Sequence, residues 1–570
     1  MIEGDPLMLN AERVRMILTL ALLFSGVAAV SAFPKDKDRS DVRGQYFEKK
    51  AYTPAPIPQF AALRDELPSP IYEARPLWVQ VYWKAWELAA KNFYEPPAGS
   101  GFVSSFIDAA FNANIFLWDS CFMTMFCNYG HPLVPGISTL DNFYAKQHAD
   151  GEICREIVRA KGVDYGPWTN PKGKPLFSRW GWPGYQASVS RERNAPVRYR
   201  DRAIPQPPPR LTLDGLDHPI LAWAELESYR VTGDSARLAM IWEPLVHYYA
   251  ALQKYLVQGN GLYVTDWASM DNSPRNHYLD GGGTGIDISS EMVLFARQLA
   301  EIARILGKHD AEDQYTHEAD ALAQIINRQM WDADRKFYFD LTLQGERAPV
   351  KTVAAYWTLL AKVATTAQAD ALLNQLDNRA TFGRMNRVPT LAADAEGYDP
   401  AGGYWRGSVW APTETMVIRG LENYGYQDRA RELALQHLDL VAQVFQKTGT
   451  IWENYAPDAV AQGKPAKDNF VGWSGIAPIM YLLEYAIGLK PDAAQNRLVW
   501  DLQPGARTGC DRYRFNGHVA SLVAEPAAGQ RGAVDLSVES DGEFSLEVHR
   551  QGKQQTFAVV KGKQKFEMNP

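Results

Sequence analysis

Five short segments concentrate Asp, Glu and Arg, four of them with Trp or Tyr alongside: FLWDSCF (116–122), DGEICREI (150–157), TDWASMDNSPRN (265–276), GGYWRGSVWAP (402–412) and IWENYAP (451–457). A protonated carboxyl and an ionised one can divide general acid and general base work between them. Ring faces of Trp and Tyr stack on the apolar faces of pyranoses while polar neighbours bond the hydroxyls. Taken singly, each segment is ordinary; Asp271 before Ser-Pro is accounted for by an Asp bonding its own backbone in a turn. Together the five describe a candidate site, provided the fold gathers them.

The intervening sequence supplies a fold that would. Apolar and aromatic residues recur at three- and four-residue spacing in LWVQVYWKAWELAAKNF (77–93), SARLAMIWEPLVHYYAALQKYL (235–256), ISSEMVLFARQLAEIARILG (288–307), VAAYWTLLAKV (353–363) and GIAPIMYLLEYAIG (475–488), among others. Asp234 and Ser235 are suited to open a helix, and Gly307, Gly425 and Gly488 to close others. Short links imply antiparallel neighbours, and no βαβ alternation suggests a parallel sheet. About a dozen paired helices point to an (α/α)6 toroid, whose loops converge at one end. A helical solenoid is the alternative, but no fixed-period repeat supports it.

Four stretches follow from this: a signal segment at 1–32, an N-terminal arm at 33–75, the helical domain at 76–490 and a C-terminal antiparallel β domain, sandwich-like, at 491–570. Within the last, AVDLSVESDGEFSLEVHRQGKQQTFAVVKG (533–562) alternates, and SDGE (540–543) reads as a hairpin turn. The Pro-, Gly- and Trp-rich stretch 157–218, holding Trp168, Trp180 and Trp182, is read as a folded lid that would select the leaving group.

WDS, MDNSPR, YWRGSVW and WENY, in this order and spacing, resemble the motifs of glycoside hydrolase family 63 and most closely its mannosylglycerate-hydrolase-like bacterial members, with trehalases as cousins. The resemblance runs over roughly 76–490. It implies an (α/α)6 barrel and an inverting α-glycosidase, with Asp271 as acid and Glu453 as base. Such chemistry needs one carboxyl to protonate the leaving oxygen and one carboxylate to activate water, about 6.5–9.5 Å apart. A proton donor is favoured by apolar or like-charged surroundings, and Asp271 has Met270, Trp267 and Asp266 beside it. Asp266 and Asp287 are rivals for the acid; Asp287, before a strong helix, is explained more simply by capping.

Trp118 and Asp119 suit the closed end of a sugar pocket, the ring for stacking and the carboxylate for hydroxyls. Arg155 and Glu156 would position hydroxyls or hold Glu453, with a structural ion pair as the alternative. Trp405, Arg406 and Trp410 are expected to line the wall, with Gly402 and Gly403 permitting close backbone approach; Trp267, Arg275 and Trp473 are further candidates. DADRKFYFD (332–340) lacks the mid-loop Gly and terminal Glu of a calcium loop and reads as a turn. No cofactor and no metal ligand set are expected.

The substrate class that fits is a short oligosaccharide or glycosyl conjugate cut end-on, an α-glucoside before a trehalose-like or α-mannoside substrate. A polysaccharide lyase on the same toroid would want a Tyr or His base, and none of the ten His lies in the five segments. A sugar-binding protein without catalysis would be expected to lack one of the two carboxylates. A net charge of −7 speaks against nucleic acid and anionic membranes as partners. Arg13 and Arg15, the apolar run MILTLALLFSGVAAV and small residues before Ala32 form a secretory signal pattern, so a periplasmic or secreted enzyme is expected, free of the membrane once cleaved; retention of the segment as an anchor is the alternative. Cys121, Cys127, Cys154 and Cys510 fit no zinc spacing, and the first two read as buried apolar residues.

Overall fold

The computed structural model describes residues 43–165 and 218–568, apart from 49–50, 55, 111, 265–269, 280–282, 504 and 528–531. The signal segment, most of the lid, Asp266 and Trp267 therefore lie outside the described residues. The described residues fall in one compact unit, Arg43–Pro570.

The helical body comprises α1 (Pro76–Ala89), α2 (Leu117–Cys127), α3 (Thr139–Ala145), α4 (Leu221–Thr232), α5 (Ser235–Leu256), α6 (Ile286–Ile305), α7 (His309–Gln329), α8 (Trp357–Leu360), α9 (Thr366–Asp377), α10 (Ala411–Asn423), α11 (Gln427–Thr448) and α12 (Ile476–Ile487). Their ends follow the capping chemistry of the sequence. Asp234 accepts the Arg237 N–H at the start of α5, and Gly488 closes α12 in the left-handed region at φ +96°. The inner helices are nearly sealed from water along their length: α6 buries sixteen of its twenty residues and α12 all twelve. The longer-exposed α7 and α11 bury one stripe each, as expected of an outer layer.

Among the described residues, α2, α4, α6, α8, α10 and α12 each touch the next, and α12 returns to α2. Against this ring lie α7 on α6, α11 on α10 and α12, and α1 on α11 and α12. The stretch 353–363 is less helical than its spacing predicts. A 3-10 turn, Val353–Tyr356, leads into the single turn of α8, and Lys362 then takes φ +53°. Continuation of the helix is incompatible with that left-handed residue, so tertiary packing overrides local propensity there. α12 is wound as a π-helix with Pro478 inside it.

The C-terminal β unit contains two sheets. One orders β1 (Ser69–Tyr72), β4 (Thr508–Phe515), β5 (His518–Pro526), β6 (Val534–Ser540) and β9 (Gly562–Met568). The other orders β8 (Lys553–Val559), β7 (Phe544–Arg550), β3 (Arg497–Asp501) and β2 (Leu489–Asp492). β1 comes from the N-terminal arm and pairs antiparallel with β4, Pro70 opposite Cys510. SDGE is not a hairpin turn: β6 pairs with β5 and β9, whereas β7 pairs with β3 and β8. The turn carries the chain from one sheet to the other, because Phe544 buries its ring against Phe515 of the opposite sheet, 5.0 Å between centroids. The indole of Trp500 on β3 donates to the Ile487 carbonyl at 2.9 Å, fastening the β unit to the end of α12. All four cysteines are buried. No helix among the described residues is long and apolar enough to cross a membrane.

Candidate active site

Asp119, Asp287 and Glu414 each stand in the first turn of their helix, α2, α6 and α10, and Trp473 directly precedes α12. FLWDSCF thus opens α2, and GGYWRGSVWAP runs into the start of α10. The Leu117 N–H donates to the Arg155 carbonyl at 2.9 Å, and Phe116 pairs with Glu156 across a short antiparallel ladder, which joins the first two clusters. Val409 and Tyr455 exchange both backbone bonds, joining the last two.

The loop Gly402–Gly407 has an unusual backbone. Gly402 and Gly403 have φ of +110° and +56°, and Tyr404, a residue with a side chain, follows at +65°. A Cβ on Gly402 would come within 2.4 Å of Ser408 Oγ, and one on Gly403 within 2.7 Å of Asp399 Cβ, so neither position tolerates a side chain. A non-glycine residue in this region costs free energy and persists only where its surroundings hold it. Here the Tyr404 hydroxyl donates to Glu453 Oε1 at 3.0 Å. The Lys467 backbone N–H donates to Glu453 Oε2 at 3.1 Å. The Glu453 carbonyl accepts the Trp473 indole N–H at 3.0 Å. Glu453 is 7% exposed, buried yet not sealed.

Asn272, next to Asp271, bonds the same loop twice. Its Nδ2 donates to the Gly403 carbonyl at 3.0 Å and its Oδ1 accepts the Trp405 N–H at 2.9 Å. A continuous set of bonds therefore runs from the segment of Asp271, through Gly403–Trp405, to Glu453. Asp271 itself is buried at 4% exposure.

An aromatic wall stands beside this set. Trp405 stacks on Trp410, centroids 4.6 Å apart and planes 11° apart. Trp410 meets Trp473 at 5.6 Å, and Trp473 meets the half-buried Trp118 edge to face at 6.2 Å. Tyr404 abuts Trp410 at 4.9 Å. Trp118, Trp405, Trp410 and Trp473 are thus brought together, with Asp119, 7% exposed, next to Trp118 in the same helical turn.

Other sequence candidates have different surroundings. Arg275, expected on the substrate wall, has no exposure: its guanidinium binds both Asp287 and Asp340, with Nε to Asp340 Oδ2 at 2.9 Å and Nη2 to Asp287 Oδ1 at 3.0 Å. It braces the Asp271 segment from behind. Asp287 does not cap α6, whose N-cap is Gly285. Burial pushes the Asp287 carboxyl up, but Arg275 outweighs it and holds the group at about 2. Both Asp287 oxygens lie on Arg275 and the carboxyl is 1% exposed, so this rival of Asp271 is committed to a buried ion pair. Asp340 is pushed in the opposite direction by its burial, and Asp287 adds to that push.

Arg406 turns to Asp399 of its own loop, Nη2 to Oδ2 3.2 Å, instead of the wall. Glu156 accepts the Asn114 side-chain amide at 2.6 Å, and Arg155 is half-buried at the start of that strand. Trp267, Asp266 and the lid tryptophans lie outside the described residues. Among the described residues no group of three His, Cys, Asp or Glu is placed to hold a metal ion.

The sequence reading missed three groups. Tyr404, Asn272 and Asp340 all act on residues far along the chain. For Tyr404 the Gly-Gly pair before it was the available signal, because it announces an unusual backbone. Asp340 carries no local signal.

Residues 216–474 match the family described as mannosylglycerate hydrolase MGH1-like glycoside hydrolase domain. The chain is 25% identical over 368 residues to an uncharacterised protein of Borreliella burgdorferi, covering 61% of this chain and 75% of that one. It is 32% identical over 141 residues to the mannosylglycerate hydrolase of Rubrobacter radiotolerans, covering 24% of this chain and 31% of the relative. The solved GH63 mannosylglycerate hydrolase from Thermus thermophilus, in complex with glucose, superposes with a TM-score of 0.51 at 19% identity, covering 70% of this chain and 98% of that one. That likeness speaks for the fold alone.

Proposed function

The chain belongs, through residues 216–474, to the mannosylglycerate hydrolase MGH1-like glycoside hydrolases, of the family 63 type, and from that premise we propose an exported, inverting, exo-acting α-glycosidase built on an (α/α)6 toroid. That it is a glycoside hydrolase follows from the family. The toroid is supported by the ring of α2, α4, α6, α8, α10 and α12 and by the layer packed against it. Export is supported by the signal pattern ending at Ala32.

In this reaction Asp271 gives its proton to the glycosidic oxygen as the bond to the anomeric carbon breaks. Glu453 takes a proton from the water that attacks the same carbon on the opposite face. The aglycone leaves as an alcohol, and the sugar leaves with inverted configuration. Glu453 ends protonated and Asp271 ionised, and exchange with solvent resets both. The half-buried ring of Trp118 stacks on the sugar, with Trp473 and Trp405 behind it and Trp410, expected on the wall but 1% exposed beneath Trp405, as their support. Asp119 accepts from the sugar hydroxyls. The observation that carries this reading is the set of bonds from Asn272 through Tyr404 to Glu453, which holds two distant acidic segments in one loop cluster.

The substrate is a short α-glucosyl or α-mannosyl conjugate. The notion of a glucoside rests on the family resemblance, and the mannoside on the name of the Rubrobacter radiotolerans relative. The test is Asp271→Asn and Glu453→Gln, assayed on a panel of α-linked disaccharides and glycosyl conjugates. Each is expected to lower kcat by at least about 10²-fold, the lower end of what acid–base catalysis contributes. Activity of both variants within a fewfold of the parent would remove the assignment.

A further inference from the structure

The segment that carries Asp271 is anchored by an ionic cluster that the reaction does not touch. Met270–Asn276 is a tight local turn: Ser273 N–H donates to the Met270 carbonyl at 2.9 Å, Asn276 N–H to Ser273 at 3.2 Å, and the Asn276 side chain to Met270 at 2.7 Å. Arg275 extends from this turn into the body of the protein. Its guanidinium takes Asp340 at Nε and Nη2, 2.9 and 2.6 Å, and Asp287 at Nη1 and Nη2. Asp340 Oδ1 also accepts the Ile286 N–H at 2.9 Å, the first of α6. Thr284 and Leu341 exchange backbone bonds at 2.9 and 3.0 Å alongside. One side chain clamps its own turn to the start of α6, twelve residues on, and to Asp340, 65 residues on.

A wholly buried ionic group is a poor source of stability, since well-packed apolar residues of the same volume often do as well or better. Its use lies in direction. A planar guanidinium bonded on two edges fixes the turn in position and in orientation, which an ammonium cannot do. General acid catalysis has that requirement, because the donor must stand within hydrogen-bond reach of the leaving oxygen. A displacement of about 1 Å costs on the order of 10²-fold.

We propose that Arg275, with Asp287 and Asp340, is a positioning device that aims the Asp271 carboxyl at the glycosidic oxygen. The proposal rests on Asp271 as proton donor. It makes a distinctive demand on the leaving group. A methyl α-glycoside leaves as methanol only if it is protonated. An α-glycosyl fluoride needs no acid: its C–F bond breaks to release fluoride, and Glu453 still takes the proton of the attacking water. Misaiming the acid therefore impairs the first substrate and spares the second, whereas general loosening of the site impairs both.

The experiment compares Arg275→Lys and Asp340→Asn with the parent and with Asp271→Asn. Methyl α-D-glucoside and α-D-glucosyl fluoride, and the matching mannosyl pair, are the probes, with kcat and KM measured separately and melting temperature recorded. Both cluster variants are expected to lose about 30- to 100-fold in kcat on the methyl glycoside, with KM unchanged, and less than about 3-fold on the fluoride. Equal losses on the two leaving groups would overturn the proposal in favour of a structural anchor, as would failure of both variants to fold. If Asp271→Asn itself loses both substrates equally, the fault lies in the assignment of Asp271. If it separates them and the cluster variants do not, the fault lies in the role given to Arg275.

Discussion

The Tyr404 hydroxyl donates to Glu453 Oε1 at 3.0 Å from a backbone held at φ +65°. The side chain that orients Glu453, the proposed base, thus comes from the loop that Asn272 ties to the segment of Asp271, the proposed acid. A hydrogen bond to a charged acceptor is worth about 1.5–3 kcal/mol, enough to restrict a carboxylate to one rotamer facing its water.

Tyr404→Phe keeps the ring against Trp410 and removes only the donor. A loss of about 1.5–3 kcal/mol in transition-state stabilisation corresponds to roughly 10- to 100-fold in kcat. KM is expected to stay close to that of the parent, since the sugar-stacking rings are unchanged. Steady-state kinetics decide it, and an unaltered kcat would mean that the Lys467 N–H orients Glu453 unaided.

Asn272→Ala removes both bonds to the Gly403–Trp405 backbone; the Gly403 carbonyl keeps the Arg406 N–H at 3.3 Å, whereas the buried Trp405 N–H loses its acceptor. An orphaned buried N–H costs about 1–3 kcal/mol, so denaturant unfolding should reveal a loss of about that size. The kcat should fall as well, because the segments of Asp271 and Glu453 lose their common tie. Lower stability with full activity would mean that the tie serves only the fold.

Acid should destabilise the helical body through Glu484. Burial pushes this carboxyl up, but Arg419, at 2.7 and 3.0 Å, and Arg230, at 3.2 Å, outweigh it and bring it from 4.5 down to about 2. A carboxyl lowered in the folded state stabilises fully above its unfolded value, near 4.5, and progressively less as pH falls towards about 2. The melting temperature should decline through that window. Glu484→Gln should flatten the part of the decline due to this group. Arg419 keeps Glu227 at 3.1 Å and Glu422 at 3.2 Å, and Arg230 keeps Glu227 at 3.4 Å. The cost at neutral pH should therefore fall below the roughly 3–5 kcal/mol of a charge left unpaired. A parent melting temperature constant between about pH 4.5 and 2 would contradict this.

The elements that sequence revealed are those whose cause is local. Helical spacing and caps such as Asp234 and Gly488 act within a turn, and clusters of Trp with Asp or Glu stand out because several are unusual together. Tyr404 and Glu453 are 49 residues apart, and Arg275 and Asp340 are 65 apart. The Gly-Gly pair before Tyr404 announces an unusual backbone but not its partner, and the Arg275–Asp340 pairing leaves no mark in either neighbourhood, which is why Arg275 reads as a wall residue and Asp340 as a turn acid. SDGE is legible as a turn but not as a change of sheet, because alternation is the same on both sides of it. The helical stretch at 353–363 ends before Lys362, whose left-handed backbone its residue type does not announce.

The account stands most directly on the anomer first released from an α-linked substrate, followed by proton NMR in the first minutes before mutarotation. Two carboxyl groups working on opposite faces, with Glu453 activating water, predict the β-anomer as the initial product. Initial release of the α-anomer would mean a covalent glycosyl intermediate, and Glu453 could not then be the base described here.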